Sequence, residues 1–226
     1  NSNPLSKQLK VIFKRENIKE LGFEEENITY KEASDLEEKL HGVEFTPTQD
    51  IVEELREIKD NEEVSKIKQA CALSDKAYSH VLKNMRMNMT EKEVVFELEN
   101  YIRLNGGEVS FPSIVAFGKN SAIPHHQSND QKLKANDIIL LDFGAKVNGY
   151  CSDMTRTVFL NKPNKEFENM YHATKEAQGI ALDYLKTHMN EGFETKKTTK
   201  LANDYLKTKG FKSVPHGLGH GVGLQV

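Results

Sequence analysis

Apolar residues recur at helical spacing over 50–84, at Ile51, Val52, Leu55 and Ile58 and then at Val64, Ile67, Ala70 and Ala72. The spacing predicts helix there. A second helix is predicted from Thr90, where Thr90-Glu91-Lys92-Glu93 has the form of a capping box. Val94, Val95, Leu98, Tyr101 and Ile102 follow on one side, and Asn105-Gly106-Gly107 stops the helix. The period then shortens. Residues 138–141 and 157–160 are apolar and partly β-branched, and between them sits Asn148-Gly149, the dipeptide of a two-residue hairpin turn. Two more helices are expected at 164–188 and 195–209, followed by a Gly-rich extended segment over 215–226.

Residues 1–50 fit this pattern poorly. They hold a short apolar piece, Leu9-Lys10-Val11-Ile12-Phe13, and a charged helical stretch over 30–40. That is too little core for an independent domain. They are expected to be the tail of a domain whose beginning lies upstream, with 51–226 as the main domain. The first residue is Asn1 rather than Met, so the start of the gene product is expected to lie before it.

Composition narrows the class. With 37% hydrophobic and 29% charged residues, the chain is neither a disordered tail nor a membrane protein. The longest aliphatic run, Ile138-Ile139-Leu140-Leu141, is far too short for a bilayer, and no secretory signal opens the chain. Cys71 and Cys151 do not make a disulfide framework and read as reduced thiols of a cytoplasmic protein. Net charge is −3 with the signs interspersed, so neither a nucleic-acid nor a membrane partner is supported.

Candidate chemistry begins at the hairpin. If Asn148-Gly149 is the turn, Val147 pairs with Tyr150, Asp142 falls opposite Thr155, and Asp153 falls opposite Gly144. Asp142, Gly144, Cys151, Asp153 and Thr155 then share one face. The aspartates become diagonal neighbours, roughly 7–8 Å apart at Cα. Two converging carboxylates beside Ile138, Leu140 and Phe159 call for a proton or a cation between them. The alternative is a pair of aspartates on a solvated strand.

His216 and His220 stand four apart among glycines, and in an extended segment that spacing keeps both on one side. With two carboxylates they would make a mixed N/O ligand set for Mn, Co, Fe or Zn. A tight Gly-rich turn with incidental histidines is the structural alternative. The segment is not the His-Glu-x-x-His zinc helix, nor a dinucleotide fingerprint, since Gly217-Leu218-Gly219 lacks the third glycine. His125-His126, after Pro124 in a polar loop, reads by itself as an ordinary surface pair.

Taken in order, five segments resemble the pita-bread metallopeptidases of the Xaa-Pro aminopeptidase/prolidase type. They are Glu54-Leu55-Arg56-Glu57-Ile58-Lys59, Ile123-Pro124-His125-His126, Leu141-Asp142-Phe143-Gly144-Ala145, Gly149-Tyr150-Cys151-Ser152-Asp153-Met154-Thr155-Arg156-Thr157, and His216-Gly217-Leu218-Gly219-His220-Gly221-Val222-Gly223-Leu224. The resemblance implies an α+β fold, an antiparallel sheet covered by helices, with residues 1–50 the remnant of a creatinase-like N-terminal domain. It implies that 51–226 is a catalytic domain lacking its last strands. Asp142, Asp153 and His220 match metal ligands. His125 and His216 match histidines that face the substrate, and His216 separates this branch from the methionine aminopeptidases.

The implied cofactor is a pair of divalent ions, Mn first, with Co, Zn or Fe as alternatives. The implied nucleophile is a hydroxide bridging them, and the implied substrate is a peptide with proline at its second position. A homodimer is left open. The family pattern continues with a histidine just past Val226 and two later glutamates, so the chain alone is expected to be inactive. Two other readings share the fold, a non-catalytic protein-binding module and a metal-free amidinohydrolase. Asp142, Asp153, His216 and His220 argue against the first, and the aspartates against the second.

Overall fold

The computed structural model describes residues 5–189 and 192–226; Asn1 lies outside them. The chain divides into two units, Asn1–Ile58 and Lys59–Val226.

In the first unit the apolar piece at 9–13 lies inside helix α1 (Leu5–Glu16), and the charged stretch forms α2 (Tyr30–Lys39). Thr29 caps α2 in a full capping box with Glu32. Strands β1 (Glu20–Glu24) and β2 (Glu44–Thr48) pair in parallel, Leu21 opposite Phe45. The sequence reading has no strands here, because each carries only one or two large apolar residues. Helix α3 (Ile51–Glu57) closes the unit.

The single helix expected over 50–84 is broken. After α3 the backbone turns extended at Ile58, and α4 (Asn61–Asn84) begins afresh. Asp60 causes the restart. Its carboxylate accepts from the Glu63 N–H at 2.8 Å, and Glu63 accepts from the Asp60 N–H at 2.8 Å. A side chain that satisfies the free N–H groups of a new first turn competes with helix continuation. The expected helix from Thr90 is α5 (Glu91–Leu104), with the Thr90/Glu93 capping box in place and Gly106 in the left-handed region at φ 84°.

The core of the second unit forms where α4 and α5 cover a sheet. β4 (Ile114–Phe117), β5 (Ile138–Phe143) and β8 (Met154–Phe159) make one antiparallel ladder. β3 (Glu108–Val109), β6 (Ala145–Val147) and β7 (Tyr150–Cys151) make another. Alternate residues of β5 divide its two faces. Ile139, Leu141 and Phe143 are fully buried against Val94, Leu98 and Ile102 of α5 and Leu73, Ala77 and Val81 of α4. Each large side chain buried this way contributes about 1.5–3 kcal/mol. Ile138, Leu140 and Asp142 are half-buried on the other face.

Helices α6 (Lys165–His188) and α7 (Thr195–Thr208) follow as expected. They pack through Ala173 and Ala177 on α6 against Ala202 and Leu206 on α7. Both cysteines are free thiols, and among the described residues no helix is long and apolar enough to cross a membrane.

Candidate metal centre

The hairpin has the register read from the sequence. Val147 pairs with Tyr150, Phe143 with Met154 and Asp142 with Thr155. Asn148 and Gly149 both have positive φ, 51° and 84°, as a type I′ turn requires. The residue count on the two sides stays equal from the turn to β5 and β8, so Asp142 falls opposite Thr155 as read, while Gly144 and Asp153 lie between the two paired stretches.

The ladder is interrupted once, between Gly144 and Ser152, and a buried network holds the break. The Ala145 N–H lies 3.0 Å from both the Ser74 and Ser152 hydroxyls, which are 2.7 Å apart. Ser110 donates to the Ser152 carbonyl at 2.8 Å. The backbones approach so closely that a Cβ on Gly144 would lie 1.8 Å from the Ser152 oxygen. Only glycine fits there. Asp153 leaves the chain at this pinch, one residue beyond the anchored Ser152.

On the half-buried face, Thr155 Oγ1 donates to Asp142 Oδ1 at 2.8 Å, which orients that carboxylate. Asp153 sits close enough to feel it. Burial and then the charge of Asp142 push the Asp153 carboxyl above its ordinary value, against the opposing pull of His220. His220 Nε2 stands 3.2 Å from Asp153 Oδ2.

His220 reaches that point because the Gly-rich segment is tied down at both ends. Asn203 bonds the backbone of Val214 and Thr199 accepts from the Leu218 N–H, which fixes the segment to α7. At the far end the Cys151 N–H donates to Gly223 O at 2.7 Å, so the segment lies along β7. Within it, His216 Nδ1 is 2.6 Å from Gly217 O and His220 Nδ1 is 2.9 Å from Gly221 O. A carbonyl only accepts, so both rings carry a proton on Nδ1 and present Nε2. Ligating histidines are commonly fixed in this way. His220 Nε2 and the Asp153 carboxylate thus face each other directly, in position to share a cation.

The donor types, two carboxylates and one imidazole, suit a divalent transition ion. Their convergence is incomplete: among the described residues no three His, Cys, Asp or Glu side chains are gathered closely enough to hold one. Asp153 and His220 meet, and Asp142 stands beside them. His216 is exposed on the same segment. His125 is exposed in its own loop, at a positive φ of 53°, and no hydrogen bond or ion pair among the described residues ties it to the others.

His125-His126 is not an ordinary surface pair. His126 is buried, and its Nε2 lies 2.8 Å from a carboxylate oxygen of Glu91, itself fully buried. The sequence reading missed Glu91, because a glutamate in the first turn of a helix is normally solvated. It also missed Ser74, whose one signal was a polar residue in the stripe Ala70, Leu73, Ala77, Val81.

Residues 65–226 match Metallopeptidase family M24, and residues 3–58 match the Creatinase/Prolidase N-terminal domain. The chain is 33% identical over 212 residues to the Xaa-Pro dipeptidase of Pyrococcus furiosus, covering 93% of this chain and 60% of that protein. It is 35% identical over 211 residues to an uncharacterized peptidase, YqhT, of Bacillus subtilis, covering 92% of this chain and 59% of that one. Among solved structures, the Xaa-Pro dipeptidase of Bacillus anthracis superposes with a TM-score of 0.91 at 34% identity, over 100% of this chain and 62% of that one. An X-Pro aminopeptidase of Thermotoga maritima gives 0.90 at 32%, over 100% and 64%. The chain thus spans less than two-thirds of the length of each of these relatives. The fold is the α+β pita-bread fold expected from the sequence. The chain belongs to metallopeptidase family M24.

Proposed function

We propose that the protein is a metal-dependent peptidase that hydrolyses the bond before proline, as an Xaa-Pro dipeptidase or aminopeptidase. The observation that carries this reading is the meeting of Asp153 and His220 at 3.2 Å beside Asp142, with Asp142 oriented by Thr155 and His220 by the Gly221 carbonyl. Asp142, Asp153 and His220 would hold divalent cations, two of them with Mn first. When bound, such cations supply Lewis-acid polarisation and lower the pKa of a coordinated water.

The remaining work falls to side chains of this chain. His125 and His216 would donate to the carbonyl oxygen of the scissile bond as charge develops on it. For His216 that donation comes from Nε2, because Nδ1 is committed to Gly217 O. It therefore requires the doubly protonated ring and is charge-assisted. A bond before proline offers no N–H, so a site that binds it needs no acceptor for one. The names of the P. furiosus and B. anthracis relatives support proline as the second residue of the substrate. A cytoplasmic location suits such a peptidase.

Because three donor side chains, Asp142, Asp153 and His220, are too few to hold two ions firmly, the 226-residue chain by itself is proposed to be inactive. The test is hydrolysis by the gene product that carries these residues, with added Mn²⁺, of an Xaa-Pro dipeptide, an Xaa-Pro-led longer peptide and their Xaa-Ala counterparts. Cleavage confined to the proline substrates, and abolished by Asp153→Asn, is expected. Equal cleavage of the alanine substrates, or activity that survives the substitution, would overturn the reading.

A further inference from the structure

We propose that Glu91 is a positioning residue for His125, acting through the loop that its carboxylate ties together. The inference rests on reading His125 as a group that faces substrate.

Glu91 opens α5 but does not cap it. Thr90 and Glu93 do that between themselves. The Glu91 carboxylate instead turns inward, with no exposure to solvent, and takes four hydrogen bonds. Oε1 accepts from the Phe117 N–H at 2.8 Å and from Asn120 Nδ2 at 2.9 Å. Oε2 accepts from His126 Nε2 at 2.8 Å and from the Asn129 N–H at 2.9 Å. A carboxylate is acceptor-only, so the His126 proton sits on Nε2. The four donors come from the end of β4, from the short 3₁₀ turn Gly118–Ala122, from the residue after His125 and from the return of the loop. One buried group thus fastens both ends and the middle of the segment that carries His125.

Other bonds close the same loop. The Glu91 N–H donates to Gln131 O at 3.1 Å, and Ser128 bonds both backbone groups of Val115. His125 is nonetheless held at φ 53°. A non-glycine residue persists in that region only where its surroundings over-determine the backbone. The neighbour that does so is His126, pinned to Glu91. Burying a charged group to arrange a surface loop is costly when an apolar residue would fill the same space. The cost is understandable if the exposed imidazole at its apex must be held in one place, since small misplacements of catalytic groups cost large factors in rate.

The test pairs a spectroscopic and a kinetic readout. The His125 ring signal is assigned by its loss in His125→Gln and followed in Glu91→Gln and Glu91→Asp, using the gene product that carries this chain. In Glu91→Gln the His125 and His126 ring signals shift while those of His216 and His220 stay. The kcat on an Xaa-Pro dipeptide falls about tenfold or more with a smaller change in KM, and Glu91→Asp recovers part of the loss. Should Glu91→Gln not fold, His126→Leu removes one of the four bonds and is read in the same way. Unmoved His125 signals, or moved signals with unchanged kcat, would overturn the proposal. If the wild type hydrolyses no Xaa-Pro bond, it is the peptidase reading that fails, and the ring signals still decide whether Glu91 sets His125.

Discussion

Across the β5–β8 pair, the hydroxyl of Thr155 donates to Asp142 Oδ1 at 2.8 Å, so the carboxylate is oriented by the residue directly opposite it in the ladder. Partners that orient a ligand are worth about ten- to a hundredfold in metal affinity. Thr155→Val is therefore expected to weaken Mn²⁺ binding by about tenfold, and Thr155→Ser to leave it nearly intact, as measured by calorimetry. Equal affinities for the two variants would mean that the hydroxyl does not aim Asp142.

Asp153 is held at a cost. Burial and the Asp142 charge raise its carboxyl above the ordinary 3.8, so the folded chain keeps that proton to higher pH than the unfolded chain. The sign follows: without metal, this group's contribution to stability declines as pH rises from 3.8 through the raised folded value. Asp153→Asn removes the repulsion. The metal-free variant is expected to match or exceed wild type in thermal unfolding at neutral pH, by about 0.5–1 kcal/mol, and added Mn²⁺ should no longer raise its Tm. A lower Tm for the metal-free variant would show that Asp153 is structural.

Glu91 has the opposite sign. Burial pushes its carboxyl up, but the donors on His126, Asn120, Asn129 and Phe117 together outweigh it and hold the group below the ordinary 4.5. Its stabilisation is complete above 4.5 and is lost as pH falls through the lower folded value. Glu91→Ala, which orphans four donors, should cost about 3–5 kcal/mol at neutral pH. Urea unfolding midpoints on either side of pH 4.5 should converge between variant and wild type as the solution becomes more acid. A gap that stays constant with pH would rule out the charged carboxylate as the source.

The register of the hairpin was legible because the Asn148-Gly149 turn fixes it and no bulge displaces it. From that register the shared side of Asp142 and Thr155 followed. The break at Asp60 was less legible: the six-residue step from Ile58 to Val64 falls out of helical phase, but the charged residues between them veil the new capping box. Glu91 was not legible at all. Its burial is imposed by residues 117–131, which fold back over the first turn of α5, and the helix pattern carries no trace of that. The pairing of β1 with β2 was hidden in the same way, because it rests on a partner distant in sequence.

Gly144 offers the sharpest local test. Its neighbours leave no space for a methyl group: a Cβ would lie 1.8 Å from the Ser152 oxygen and 2.8 Å from the Ser110 hydroxyl. Both are held by the bonds that anchor the pinch. Gly144→Ala is expected to destabilise the chain by about 3 kcal/mol in denaturant melts. A loss below about 1 kcal/mol would mean that the strands can part there without penalty.

The segment bearing His216 and His220 docks onto β7 through residues 73 positions apart in sequence, Cys151 and Leu224, whereas the hairpin it meets closes over two. Closing the longer loop costs more chain entropy, and distant pairings are made late in folding. The two halves of the candidate centre are therefore expected to form at different stages, the acidic half with the hairpin and the imidazole half after α6 and α7 have packed. In native-state amide exchange, the N–H of Cys151 should consequently open at lower free energy than those of β5, so that the site loosens from the histidine side while the aspartates keep their place.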